Sequence, residues 1–155
     1  MNEKVVVDAS IWISRVRLQD VNHDASHRWI EQFKNVKGLL VVPSFFLIEV
    51  AGAISRLTGQ PTLSRETIED LNSNYGIRIV PLDSKLVESA IDVAADLQLR
   101  AGDATYVAVA HQLTLPLVSW DKEQLAKAST IVTTYTPENY PFEEDTEEIE
   151  NNDHS

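Results

Sequence analysis

Short apolar, β-branched runs alternate along this chain with longer stretches whose apolar residues recur at helical spacing, and that alternation leaves few folds open. The runs are VVVD at 5–8, LLVVP at 39–43, IRIVPL at 77–82, PLVSW at 116–120 and TIVTT at 130–134. Each is too short for a stable helix and rich in side chains that suit a pleated surface. Between and after them lie HDASHRWIEQFKNV, SFFLIEVAGAISRL, SRETIEDLNSN, SKLVESAIDVAADLQL, GDATYVAVAHQL and DKEQLAK, most of which open on Ser, Asp or another capping residue. Strands that are apolar throughout and separated by helices call for a parallel sheet, because crossover connections lay a helix over each face. The predicted class is α/β with three layers.

The 155 residues, 43% of them hydrophobic, suit one domain with a real core. A formal charge of −11 argues at first against a nucleic-acid partner, which normally meets a basic footprint. The excess is local, however. FEEDTEEIENNDHS at the end carries seven of the 24 acids and no Lys or Arg, which leaves 17 acids against 13 bases before it. The expected organisation is therefore a domain over 1–142 and an acidic, self-repelling, disordered tail over 143–155. There is no cysteine, which excludes disulfides and thiolate metal sites. The opening MNEKVVVDASIWI resembles neither a signal peptide nor a membrane span, so the expected location is cytoplasmic, with no membrane partner.

Four acids stand out by position. Asp8 closes the first strand, at the carboxyl end where open α/β sheets place ligands, though a turn or cap is its plain alternative. Ser10 follows it and either caps the next helix or bonds to Asp8. Glu49 lies in a nearly apolar helix whose neighbours at three and four residues are Phe45, Phe46, Gly52 and Ala53, so no cation pairs with it locally. A carboxylate buried there needs a partner. Asp103, after Gly102, reads as a helix N-cap accepting from Thr105 or Tyr106. Asp121 reads as the start of a capping box completed by Gln124. A parallel sheet brings its strand ends together, so all four can converge. Clustered acids without local cations favour a hard divalent ion such as Mg²⁺ or Mn²⁺, and the chemistry such a site serves is phosphoryl hydrolysis.

VVVDASIWIS, LIEVAGAI, LRAGDATYVAVAH and LVSWDKEQLAK, in this order and spacing, resemble the motifs of PIN-domain nucleases, and among them the VapC-type toxins of toxin-antitoxin pairs. The resemblance spans about residues 4–134. It implies a metal-binding, catalytic quartet of Asp8, Glu49, Asp103 and Asp121, with Ser10 and Ser119 as polar supports; relatives often carry Thr where Ser119 stands. It also implies a PIN-like α/β/α domain whose strands run in the order 3-2-1-4-5, a need for Mg²⁺ or Mn²⁺, and endoribonuclease cleavage of single-stranded RNA. Homodimers and a cognate antitoxin are further implications. The alternative is a PIN-like protein-interaction module without nuclease activity, its acids kept only as caps.

Few cations are placed to hold an RNA backbone: Arg15, Arg17, Arg100, Lys122 and Lys127 are the candidates, each of which also reads as an ordinary surface charge. Trp12 and Trp29 sit at helical spacing among apolar neighbours and read as core, and Trp120 is the tryptophan expected to be exposed. His23 and His27 stand one turn apart without a third zinc ligand and read as an exposed helix face, and His111 as a helix C-terminal residue. Two rivals fail on sequence. A phosphoaspartyl phosphatase would carry a second Asp where Ser10 stands, and a dinucleotide-binding fold would need glycines in DASIWIS.

Overall fold

A computed structural model describes residues 3–143, so the tail expected over 143–155 lies, but for its first residue, outside the described residues. Five parallel strands form one sheet: β1 (Lys4–Val7), β2 (Leu39–Pro43), β3 (Gly76–Val80), β4 (Leu117–Val118) and β5 (Thr134–Tyr135), in the order β3-β2-β1-β4-β5. This is the expected topology. β1 is central, and Val5, Val6 and Val7 are each fully buried, as a strand covered on both faces must be. The edge strand β3 is half open, with Ile79 42% exposed.

The helices are α1 (Ser10–Val16), α2 (His23–Asn35), α3 (Phe46–Thr58), α4 (Pro61–Asn74), α5 (Ser84–Leu97), α6 (Ala101–Leu113) and α7 (Lys122–Ala128). Most are amphipathic: α2 buries Ala25, Ser26, Trp29, Ile30 and Phe33 on one stripe. The exception is α6, buried continuously from Ala104 to Ala110. It packs against β1, β2 and β4 on one side and α5 on the other, so no face is left for polar residues and small side chains allow the close approach. That enclosure explains the small-residue run ATYVAVA.

The last strand differs most from the sequence reading. It is not TIVTT but Thr134–Tyr135, because the Ile131 and Val132 N–H groups both bond back to the Ala128 carbonyl in a turn that ends α7. Only beyond them does the chain reach β4, where the Leu117 N–H donates to the Thr133 carbonyl and that of Ser119 to Tyr135. At the described C-terminal end, Tyr140 donates to the Glu3 carboxylate, and Tyr140 and Phe142 pack against Trp29.

Between α2 and β2, Gly38 sits against the Phe33 ring so closely that an added Cβ would lie 2.3 Å from it. Phe33 is 1% exposed and stacked on Trp29 at 4.8 Å, so its ring has nowhere to go. Gly38→Ala should lower stability by about 1–3 kcal/mol, the usual cost of overpacking. Thermal unfolding measures it, and an unchanged midpoint would show that the ring can move aside.

Candidate functional site

The geometry starts from strand register. Val6 pairs with Leu117 and Val7 with Val118, so the next residues, Asp8 and Ser119, face each other where β1 and β4 end. Asp8 is 6% exposed and Ser119 fully buried. Ser119 Oγ donates to Asp8 Oδ2 at 2.5 Å, and Ser10 donates to Oδ1 through its hydroxyl at 2.5 Å and its backbone N–H at 3.1 Å. The same hydroxyls accept in turn: Ser10 Oγ from the Trp120 N–H at 3.1 Å, Ser119 Oγ from the Asp121 N–H at 2.9 Å. Of the two roles considered for Ser10, the bond to Asp8 is the one formed, and no side chain caps α1.

Burial pushes the Asp8 carboxyl up from 3.8 to about 6, against the opposing hydrogen bonds of Ser10 and Ser119, with a further upward push from the Asp103 charge. Glu49 and Asp103 are raised as well. For Glu49 the causes are burial of its carboxyl end and then the charges of Asp8 and Asp103; for Asp103, burial and then the charge of Asp121, opposed by Arg100. The four acids therefore feel one another. None of the ion pairs among the described residues involves any of them.

Local structure delivers each acid by a different route. Glu49 sits in the first turn of α3, just after β2, rather than deep within an apolar helix. Most of the residue is exposed, while its Oε2 lies 3.9 Å from where a Cβ on Gly102 would stand. Of the carboxylate that the sequence reading placed in an apolar helix, only the end turns inward, over a glycine that leaves room. Asp103 is also not an N-cap. Arg100 holds that position, no side chain caps α6, and Asp103 is the helix's third residue. An N-terminal turn favours a negative charge, but at Asp103 burial and the Asp121 charge outweigh it and the carboxyl is raised. Asp121 does cap α7, accepting from the Gln124 N–H at 3.0 Å. The reciprocal half of the capping box is absent: the buried Gln124 side chain instead lies 3.1 Å from Ser119 Oγ, whose single proton goes to Asp8, and donates to the Asp103 carbonyl at 3.4 Å.

Sequence reasoning named Gln124 only as the end of a capping box and Tyr106 only as a backbone donor to Asp103. Tyr106 is buried beside Glu49, three residues after Asp103, a spacing that puts both on one helix face. Asp103 and Asp121 line a cavity of about 290 Å³ together with Arg100 and Glu123. A larger cavity, about 610 Å³, opens at the opposite ends of β4 and β5 beside Pro116 and Thr133 and holds none of the four acids.

The cation candidates separate. Arg100 is exposed beside Asp103, Lys122 is exposed at the start of α7, and Arg17 is exposed past the far end of α1. Arg15 is engaged elsewhere, with Tyr75 at 2.8 Å, Glu31 at 3.1 Å and Asp70 at 3.8 Å. Lys127 is held by Glu123 at 2.8 Å and the Gln98 carbonyl at 3.1 Å. Trp12 and Trp29 are core, as expected, and Trp120 is the most open of the three but only partly so, its indole N–H donating to Ser26 at 2.7 Å. The His23 and His27 rings stack at 6.5 Å on the α2 surface, and His111 is exposed in the last turn of α6.

An all-carboxylate donor set with mutually raised acids suits a hard divalent cation in charge and chemistry. As the side chains lie, no three His, Cys, Asp or Glu among the described residues form a group able to hold an ion, so the acids surround a common region without closing on one point.

The raised Asp8 makes stability depend on pH. Because the folded carboxyl binds its proton more tightly than the unfolded one, the folded state loses stability as pH rises from about 4 to about 6 and levels off above. The loss from this group is roughly 3 kcal/mol, and Glu49 and Asp103 act in the same direction. In EDTA, the melting midpoint should therefore be higher near pH 5 than near pH 7, and Asp8→Asn should remove most of that difference. A midpoint rising over this window would show that Asp8 ionises freely in the folded chain.

Comparison with known proteins agrees with the geometry. The fold resembles the crystal structures of the Sarcin-Ricin loop cleaving toxin VapC20 from Mycobacterium tuberculosis (TM-score 0.65, 18% identity, 79% of this chain and 93% of that one) and of PAE2754 from Pyrobaculum aerophilum (TM-score 0.63, 22% identity, 89% and 93%). It also resembles that of FitAcB from Neisseria gonorrhoeae (TM-score 0.67, 15% identity, 88% and 99%). No curated protein matches the sequence. The model of the PIN domain matches residues 5–129, which include all four acids and both serines, and the chain belongs to the PIN domain family.

Proposed function

We propose that this protein is a metal-dependent endoribonuclease that hydrolyses phosphodiester bonds of single-stranded RNA, as the toxin of a toxin-antitoxin pair. The observation that carries the reading is the buried Asp8 carboxylate at the end of the central strand, with the Asp103 charge acting on it, the Asp8 and Asp103 charges acting on Glu49, and Asp121 acting on Asp103. Asp8, Glu49, Asp103 and Asp121 would hold Mg²⁺ or Mn²⁺. A bound ion of this kind activates water and neutralises charge gathering on the phosphate and leaving oxygen.

The protein's own groups do the rest. Ser10 and Ser119 hold Asp8 in one orientation, and since both hydroxyls donate to it, neither is free to act as a nucleophile. That supports attack by water. Arg100 is the cation nearest the acids by its effect on Asp103, and it would take a phosphate oxygen of the substrate. Lys122, exposed beside Asp121, and Arg17 would serve as weaker backbone contacts. The toxin and toxin-antitoxin structures of similar fold support the biological reading, in which the chain acts in the cytoplasm, pairs with a cognate antitoxin and forms a homodimer. We assign residues 1–142 to the nuclease domain and 143–155 to an appended acidic tail.

A protein-interaction module is the second reading, favoured by the acids' failure to close on one point. Two measurements separate them. Millimolar Mn²⁺ should raise the melting midpoint of a nuclease, because a ligand that binds only the folded state stabilises it. Wild type should cleave a mixed-sequence single-stranded RNA with Mg²⁺ or Mn²⁺ and stop in EDTA, and Asp8→Asn should lower the rate roughly 100-fold or more, as loss of several kcal/mol of metal-ion catalysis implies. Equal cutting by both proteins, or no response to Mn²⁺ and no cutting by either, would overturn the nuclease reading.

A further inference from the structure

Tyr106 is the polar side chain at this site that the chemistry above does not use. It stands on α6 one turn beyond Asp103, is 1% exposed, and its hydroxyl has no hydrogen-bond partner of ordinary geometry. An orphaned buried hydroxyl opposes folding, so its presence calls for an explanation. The ring is fixed: Phe45 packs edge-on against it with centroids 5.4 Å apart, and the flanking residues of α6 are buried. Phe45 is also the N-cap residue of α3, four before Glu49, so one helix end supplies both the brace for the ring and the acid on this side of the site.

The groups around that hydroxyl are all carboxylates. A phenol keeps its proton at neutral pH, so the hydroxyl can act as a donor. Glu49 is brought to this face by the packing of α3 on α6: its Oε2 lies 3.9 Å from where a Cβ on Gly102 would stand, and Gly102 is one helical turn before Tyr106 on the same face.

We infer that Tyr106 is a positioning residue for Glu49: when the site takes up a divalent cation, the hydroxyl donates to one carboxylate oxygen and leaves the other for the ion. This rests on the metal reading of the four acids. Outer partners of this sort set the orientation of a ligand and raise its affinity for the metal. A neutral donor suits the position better than Lys or Arg, because it orients the carboxylate without cancelling the negative charge that attracts the cation. The absence of ion pairs to the four acids among the described residues fits the same economy of charge.

The full chain, stripped of metal, tests this in wild-type, Tyr106→Phe and Glu49→Gln forms. Mn²⁺ binding is measured by calorimetric titration, and the melting midpoint in EDTA by calorimetry. Tyr106→Phe should weaken Mn²⁺ binding roughly 10-fold. Its metal-free midpoint should stay level or rise, because Phe keeps the packing and removes the orphaned hydroxyl. Weaker binding with an undiminished midpoint is a pair of changes that a merely structural residue does not produce. Unchanged Mn²⁺ affinity in Tyr106→Phe, with Glu49→Gln weakened, would overturn the role of Tyr106 and leave the acids standing. A midpoint that falls together with affinity would likewise overturn it, by showing the hydroxyl to be structural. If wild type does not bind Mn²⁺, or Glu49→Gln binds it as wild type does, the metal reading fails and this inference with it.

Discussion

A carboxylate buried at the end of the central strand is the constraint around which this structure is organised. Left alone, the Asp8 charge would be costly in so enclosed a place. The molecule answers with three hydrogen bonds from two serines, one on each side of the β1–β4 junction. Each serine then accepts a backbone N–H from the segment between β4 and α7. The register of two strands, the path of the chain after β4 and the placement of Asp121 are thereby tied to one ionisable group.

The rest of the site adds negative charge to a region that is already negative. Glu49 and Asp103 arrive from helix N-terminal turns, where the backbone tolerates an acid, and Gly102 lets the two approach. Without a cation the arrangement raises their affinity for protons, as the upward shifts of Asp8, Glu49 and Asp103 show. Two of the basic side chains that could have neutralised it are engaged elsewhere, Arg15 with the Tyr75, Glu31 and Asp70 group and Lys127 with Glu123, and Arg100 offsets the charge at Asp103 only in part. Such a centre is electrostatically frustrated in isolation and is relieved by a ligand of opposite charge. Stability given up at a site in this way is a common mark of function.

Much of this was legible in advance, and the errors are instructive. The β2 boundaries, the parallel sheet and the core roles of Trp12 and Trp29 follow from apolar runs and helical spacing, which are local patterns, whereas the strand order came only with the resemblance to PIN-domain nucleases. Asp121 was read as a cap because Asp-x-x-Gln has a local meaning, and the cap exists. Its partner was misjudged, since the Gln124 side chain answers to Ser119 and Asp103 across the fold rather than to its own helix start. Asp103 was misread for the opposite reason: α6 begins two residues before it, a difference no local rule resolves. TIVTT has strand composition, yet Ile131 and Val132 are spent on the turn that returns the chain from α7.

By itself, the sequence determined the layered α/β class and singled out four acids as candidates. Both depend on periodicity and on residue types at strand ends, which act over a few positions. The tertiary structure alone decided that Ser119 would face Asp8 and that Glu49 would turn its carboxyl end over Gly102. It alone left the Tyr106 hydroxyl without a partner among carboxylates. Those outcomes depend on register and on helix packing between segments more than 50 residues apart, and the physical reason is that burial, charge and hydrogen-bond geometry act through space.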